Sequence, residues 1–154
     1  MERRDLIRIA ALVALALVFA APAGAAGTWR VVADGPSTGA SAASPTGFVA
    51  LNRAATAKFS GRLGKGATKL AHVDYSKNAV VAIFGEFGCQ DSLVDVSAVA
   101  QHGTTLAVKL VQNQPAPGTV SCLAIFGTYR VLAVPRASLH APYPTRALVT
   151  LARA

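Results

Sequence analysis

The run Ala79–Phe84 (Ala-Val-Val-Ala-Ile-Phe) constrains the fold of this chain more than any other stretch. A strand that alternates can leave one face in water, but one that is apolar at every position must be covered on both. From residue 71 onward the hydrophobic period is that of β structure. Residues 93–99 alternate in a strand-like way, and Gln101-His102-Gly103 makes a turn. Thr104–Gln112 then returns with Leu106, Val108 and Leu110 on one side and Thr105, Ala107 and Lys109 on the other. That is a hairpin with a half-buried second strand. Asn113–Gly118, with Pro115 and Pro117, is a loop. Ser121–Phe126 and Tyr129–Val134 read as two further strands meeting at Gly127, and Pro135, which cannot donate to a ladder, ends the sheet.

The region before residue 71 is organised differently. Thr28–Ala33 reads as a first strand, and residues 34–47, rich in Gly, Ser, Ala, Thr and Pro, as a long surface loop. Phe48–Leu51 is a short apolar strand. Asn52 is placed to cap a helix over Arg53–Leu63, where Ala55, Phe59 and Leu63 recur at i, i+4 and i+8, and Gly64 and Gly66 stop it. Six or seven strands with one short N-terminal helix predict a mainly β domain, an antiparallel β-sandwich or an open barrel. The absence of βαβ alternation argues against a Rossmann-like sheet.

The first residues bear on location. Arg3, Arg4 and Arg8 precede an apolar run of about 13 residues, Ile9–Ala21, and Ala23-Gly24-Ala25 follows it. This is the layout of a secretory signal peptide over residues 1–25, too short for a bilayer span of about 20. Arg3-Arg4-Asp5-Leu6-Ile7-Arg8 also resembles the twin-arginine pattern, so both export routes stay open. No cysteine follows the apolar run, which excludes a lipoprotein anchor there. Export to the periplasm, envelope or medium is expected, with residues 26–140 as a single domain and 141–154 as a Pro-containing tail. No later segment reaches 18 continuous apolar residues, so the mature chain is not expected to span a membrane.

Of the 15 Lys and Arg, three precede residue 26, as do two of the seven Asp and Glu. Twelve basic residues against five acidic ones give a mature charge of about +7. Such a balance favours anionic partners: envelope polymer, lipid headgroups or an acidic protein. Nucleic acid is excluded for an exported chain without aromatic-and-basic recognition motifs. Cys89 and Cys122 are the only two cysteines. In an oxidising compartment an even, small number reads as a disulfide, contributing roughly 3–4 kcal/mol for a loop of about 30 residues. Use as a thiol nucleophile or metal pair would require both to be reduced.

Val73-Asp74-Tyr75-Ser76-Lys77-Asn78 followed by Val80-Val81-Ala82 resembles the opening of the PrcB C-terminal domain family. A glycine-containing loop follows (Phe84-Gly85-Glu86-Phe87-Gly88), then Leu106-Ala107-Val108, then the loop Pro115-Ala116-Pro117-Gly118. Last comes the strand Tyr129-Arg130-Val131-Leu132-Ala133-Val134-Pro135-Arg136. The resemblance covers about half the chain, and order and spacing carry it. Gly88-Cys89-Gln90 stands where many members have Gly-Gly-Tyr, and Gly127-Thr128-Tyr129 where Ser-Pro-Tyr is common. Cys89 and Cys122 fall near these two departures, which implies a subset with the loop tied to the later strand. The family implies an exported, non-enzymatic β domain that associates with a protein partner, such as a secreted protease it stabilises or inhibits.

Several motifs carry less than they promise. Gly35-Pro36-Ser37-Thr38-Gly39 matches the G-x-S-x-G elbow, but no helical pattern follows it. Gly61-Arg62-Leu63-Gly64-Lys65-Gly66 has the flavour of a phosphate loop with the wrong spacing, and reads as a helix terminus. His72 and Asp74 share one side of a strand but lack a patterned third ligand, with His102 and His140 far off in sequence. No catalytic residue, metal site or cofactor is therefore expected. Two candidate binding surfaces emerge. One is the loop Gly85, Glu86, Phe87, Gly88, where glycines flank an apolar ring expected to stand at a loop tip and meet a protein partner. The other is the basic set Arg53, Lys58, Arg62, Lys65, Lys69 and Lys77, opposed only by Asp74 and suited to anionic envelope polymer or lipid headgroups.

Overall fold

The computed structural model describes residues 28–39, 42–87, 94–113, 118 and 127–153. Among the described residues the domain is mainly β, built on two open sheets, neither closed into a barrel. One sheet has four strands in the order β1 (Arg30–Pro36), β6 (Thr128–Pro135), β3 (Asn78–Gly85) and β2 (Thr46–Ala50). The other has three, in the order β4 (Val94–His102), β5 (Thr105–Gln112) and β7 (Arg146–Arg153).

The Ala79–Phe84 run lies within β3, which is buried on both faces because the four-stranded sheet is covered on both sides. Val81 and Ile83, with Leu132 and Val134 of β6 and Val49 of β2, meet Val99, Leu106, Val108, Leu110 and Val149 of the three-stranded sheet. The alternate residues Val80, Ala82, Phe84, Tyr129 and Val131 face the other way, onto Phe59, Leu63 and Leu70. Each fully buried large apolar side chain contributes about 1.5–3 kcal/mol, so these two clusters dominate the stability of the domain. At the corner where the sheets meet, Gly47 leaves room for β7. A Cβ there would come within 2.7 Å of the side chains of both Ala147 and Val149.

The segment after β2 departs from the expected α-helix. It forms two 3₁₀ segments, Ala54–Lys58 and Ser60–His72, the second interrupted at Gly64 with φ 52°. Asn52 does act near the start, its Oδ1 accepting the Ala55 amide at 2.8 Å. Phe59 and Leu63 are buried, as the apolar spacing requires. Glycines at 61, 64 and 66 leave the α form little advantage, and the tighter helix prevails. Gly64 and Gly66 thus kink the segment without ending it.

Two expectations fail at the chain's edges. Residues 34–36 extend β1 into what reads as loop, pairing with Thr128–Arg130 of β6. The supposed tail 141–154 contains β7, which runs parallel to β5 from Thr105↔Arg146 to Gln112↔Arg153. The sheets are therefore not wholly antiparallel. Pro142 and Pro144 terminate nothing; they lie in the link that carries the chain to the second sheet. Gln101 holds that link: its Nε2 donates to the carbonyls of Gly103, His140 and Pro142 at 2.8–2.9 Å, and its Oε1 accepts the His140 amide at 3.0 Å. The hairpin β4–β5 forms as expected, with Leu106, Val108 and Leu110 inward. The expected strand 121–126 lies outside the described residues.

Candidate functional site

Beside β1, the 3₁₀ segment Ser60–His72 does not seal against the sheet as the other sheet does. Between them lies a cavity of about 490 Å³, lined by β1 and its loop (Asp34, Pro36, Thr38), by Leu63, Gly64, Lys65, Gly66 and Lys69, and by Tyr129 of β6. Next to it, a second of about 220 Å³ is lined by Arg30, Val32, Lys69, His72 and Val73. Arg30 and Val32 of β1 line the smaller cavity and Asp34 and Pro36 the larger, on either side of an irregularity between Val31 and Ala33, and Lys69 belongs to both. Together they form a trough along the strand.

The floor of the larger cavity is tightly specified. The Tyr129 ring packs at a tilt in an aromatic row, 6.3 Å from Phe84, which lies edge-on to Phe48 at 5.9 Å, itself 6.2 Å from Phe59. The hydroxyl end reaches Gly66: a Cβ there would sit 1.9 Å from the Tyr129 oxygen. Only glycine admits the ring at this depth. Tyr129 is 4% exposed. Burial, and secondarily the Asp34 carboxylate, push its pKa up, so it is held as a neutral donor. The rim is clamped to β1, because the Thr38 amide donates to Arg62 carbonyl at 2.9 Å and Thr38 Oγ1 to Gly61 carbonyl at 2.8 Å.

The basic set divides once placed in space. Lys65 and Lys69 are exposed and line the trough. Arg53 is occupied, its Nη2 donating to the Ala71 carbonyl at 2.8 Å. Arg62 lies over the Phe84 ring, 3.9 Å from its centroid. Lys77 faces Asp74 at 3.8 Å in a solvent-exposed pair, an arrangement worth little energetically. Asp74 is itself engaged by Ser76, whose hydroxyl donates at 2.6 Å and, with its amide, lowers the carboxyl pKa. Lys58 is exposed on the first 3₁₀ segment and lines neither cavity.

The other candidate surface is corrected at its central residue. Phe87 does not stand at a loop tip. It is 7% exposed and belongs to the cluster between the sheets, where its ring lies against Gly85. A Cβ on Gly85 would come within 2.6 Å of that ring. The chain leaves β3 at the sheet's end, where the intersheet cluster is still open and takes the ring. Glu86 is exposed. Gly88, Cys89 and Cys122 lie outside the described residues.

Sequence reasoning passed over Arg30, Asp34, Thr38 and Tyr129, which are scattered through strands and loops and converge only in space. Their one local signal is Gly66, a glycine inside a helical period. Gly35–Gly39, the elbow-like motif, is the end of β1 and the turn after it, with the Ser37 amide donating to the Gly127 carbonyl at 2.8 Å. Among the described residues no three His, Cys, Asp or Glu side chains gather as a metal site, and no helix is long and apolar enough to cross a membrane. The chain matches no protein-family model, no curated protein and no solved structure.

Proposed function

We propose that this chain is an exported, non-enzymatic β domain, its two sheets face to face as a sandwich, that binds an anionic component of the cell envelope in the trough along β1. One observation carries the reading: Lys65 and Lys69 line a cavity that Tyr129 also lines, with Asp34 as the single acid among its lining residues. Two ammonium groups and a neutral hydroxyl donor suit a carboxylate or phosphate. The signal-like residues 1–25 and the mature charge of about +7 support the same location and the same sign of partner.

A protein partner docking on residues 85–88 is the weaker reading, because its apolar anchor, Phe87, is spent on the core. The resemblance to the PrcB C-terminal domain family remains part of the proposal. Its opening segment leads into β3, its closing one forms β6, and the two pair from Asn78↔Pro135 to Gly85↔Thr128. That supports an envelope-associated role, with a protease as one neighbour to look for.

The test is co-sedimentation with purified envelopes at rising salt. Binding is expected at low ionic strength, to fade as the Debye length shrinks below about 8 Å, and to be lost in a Lys65→Ala, Lys69→Ala variant. A Lys58→Ala, Lys77→Ala variant is expected to bind as wild type. Equal loss in both variants would mean diffuse charge and no site; equal retention would remove the trough from the function.

A further inference from the structure

The two cavities share Lys69, are both walled by residues of β1, and differ in what they offer. The larger holds Lys65, Lys69 and the Tyr129 hydroxyl, but also the carboxylate of Asp34 and the apolar surfaces of Pro36, Leu63 and the Tyr129 ring. The smaller holds Arg30, Lys69 and His72 beside Val32 and Val73. A bare polyanion would meet repulsion from Asp34. A neutral sugar would leave Lys65 and Lys69 facing nothing. A ligand that satisfies every wall carries a negative group for the lysines, hydroxyls for Asp34 and Tyr129 to pair with, and a flat apolar ring face for Pro36 and Leu63. The larger volume falls within the range of about 300–1,000 Å³ usual for small-molecule sites. From Arg30 to Pro36 the strand covers about 20 Å at roughly 3.3 Å per residue, room for more than one linked ring.

We infer that the trough is a two-subsite groove for a linear glycan bearing carboxylates, one acidic sugar in the larger cavity and the next against Arg30, with Lys69 between them. This rests on the anion-binding reading above and specifies its ligand. Linked units bind as one ligand, so chain length adds affinity only if both subsites are real. An anionic lipid headgroup, by contrast, would fill one cavity and gain nothing from Arg30.

The experiment is titration calorimetry of the mature chain with oligogalacturonates and oligomannuronates of one to four units, neutral galacto-oligosaccharides, inorganic polyphosphate, and vesicles containing phosphatidylglycerol. Uronate trimers of at least one series are expected to bind about tenfold or more tighter than the monomer, and the neutral oligomers not to register. Arg30→Ala should abolish the length advantage, whereas Lys69→Ala should weaken monomer and trimer alike. Asp34→Asn should weaken the uronates roughly tenfold while polyphosphate binding holds or rises. Length-independent uronate binding, or vesicles binding where no uronate does, would overturn the inference and leave the anion-binding reading standing. Polyphosphate binding that Asp34→Asn does not favour over uronate would overturn it as well. If neither uronates, polyphosphate nor vesicles bind, or if Lys65→Ala, Lys69→Ala changes none of them, the anion-binding reading itself fails. Circular dichroism of each variant checks that the fold is kept.

Discussion

The two faces of the four-stranded sheet are made by the same strands yet do different things. On one face Val81, Ile83, Leu132 and Val134 meet a second sheet, and the gap is filled with branched aliphatics and Phe87. On the other face Val80, Ala82, Phe84, Val131 and Tyr129 meet a glycine-rich 3₁₀ segment, and the contact runs out beside β1 into an open trough with two lysines on its wall. A second pleated sheet can cover a sheet face more fully than a short, kinked helical segment. What the second face loses in packing it gains as a cavity. The glycines that weaken the segment as a helix also let Tyr129 reach its depth.

This contrast can be broken by mutation. Phe87→Ala tests the sealed face and is expected to be the largest effect: a loss of about 3–5 kcal/mol by urea denaturation, as for a core aromatic. A variant of unchanged stability would return Phe87 to a loop tip and reopen the protein-docking reading. Next is Gln101→Leu, which strips partners from the Gly103, His140 and Pro142 carbonyls and the His140 amide at once. A loss of about 2–3 kcal/mol is expected, with proteolysis at the 139–145 link rising before global unfolding. Gly66→Ala addresses the open face. The new methyl collides with the Tyr129 hydroxyl, an overpacking worth about 1–2 kcal/mol, and Tyr129→Phe in the same chain should recover part of it. Strictly additive losses would show that the two residues are not in contact.

A pH effect sharpens the comparison further. Tyr129 and Tyr75 have raised pKa values, both through burial first. A phenol that the folded state holds protonated stabilises fully below its unfolded pKa of about 10, and that contribution is lost as pH rises through the higher folded value. Stability should therefore fall above about pH 10, and less steeply in Tyr129→Phe. An identical slope would mean that the Tyr129 hydroxyl titrates freely in water. The smallest effect belongs to Lys69→Ala. As an exposed residue it should shift stability by no more than about 0.5 kcal/mol while the proposed envelope binding weakens, separating candidate site from scaffold.

Much of the burial on both faces could be read from the chain. The apolar run in β3, the inward series Leu106, Val108, Leu110 and the spacing of Phe59 and Leu63 all point to buried positions, because periodicity reports burial directly. Other features depended on what lay across the gap. Phe87 lies between Gly85 and Gly88, a stretch that reads as a loop until the open end of the intersheet core is seen beside it. In sequence, Lys65 and Lys69 cannot be told from Lys58 and Lys77. They differ because the kink at Gly64 and the position of β1 bring one pair to a cavity wall and leave the other elsewhere. Residues 146–153 alternate well enough for a strand, but Pro142 and Pro144 mask it unless Gln101 is known to hold the link.

The sequence by itself determined that this is a mainly β chain with one doubly covered strand, a basic surface and a signal-like N-terminus. Those properties are carried by local composition and period, which each segment possesses alone. Only the tertiary structure decided that Arg30, Asp34, Lys65, Lys69 and Tyr129 share one trough, since that requires β1 to pair with β6 and the 3₁₀ segment to cross above them. A site assembled from residues nearly a hundred positions apart leaves no trace in any window of the chain, because its geometry belongs to the packing of elements and not to any one of them.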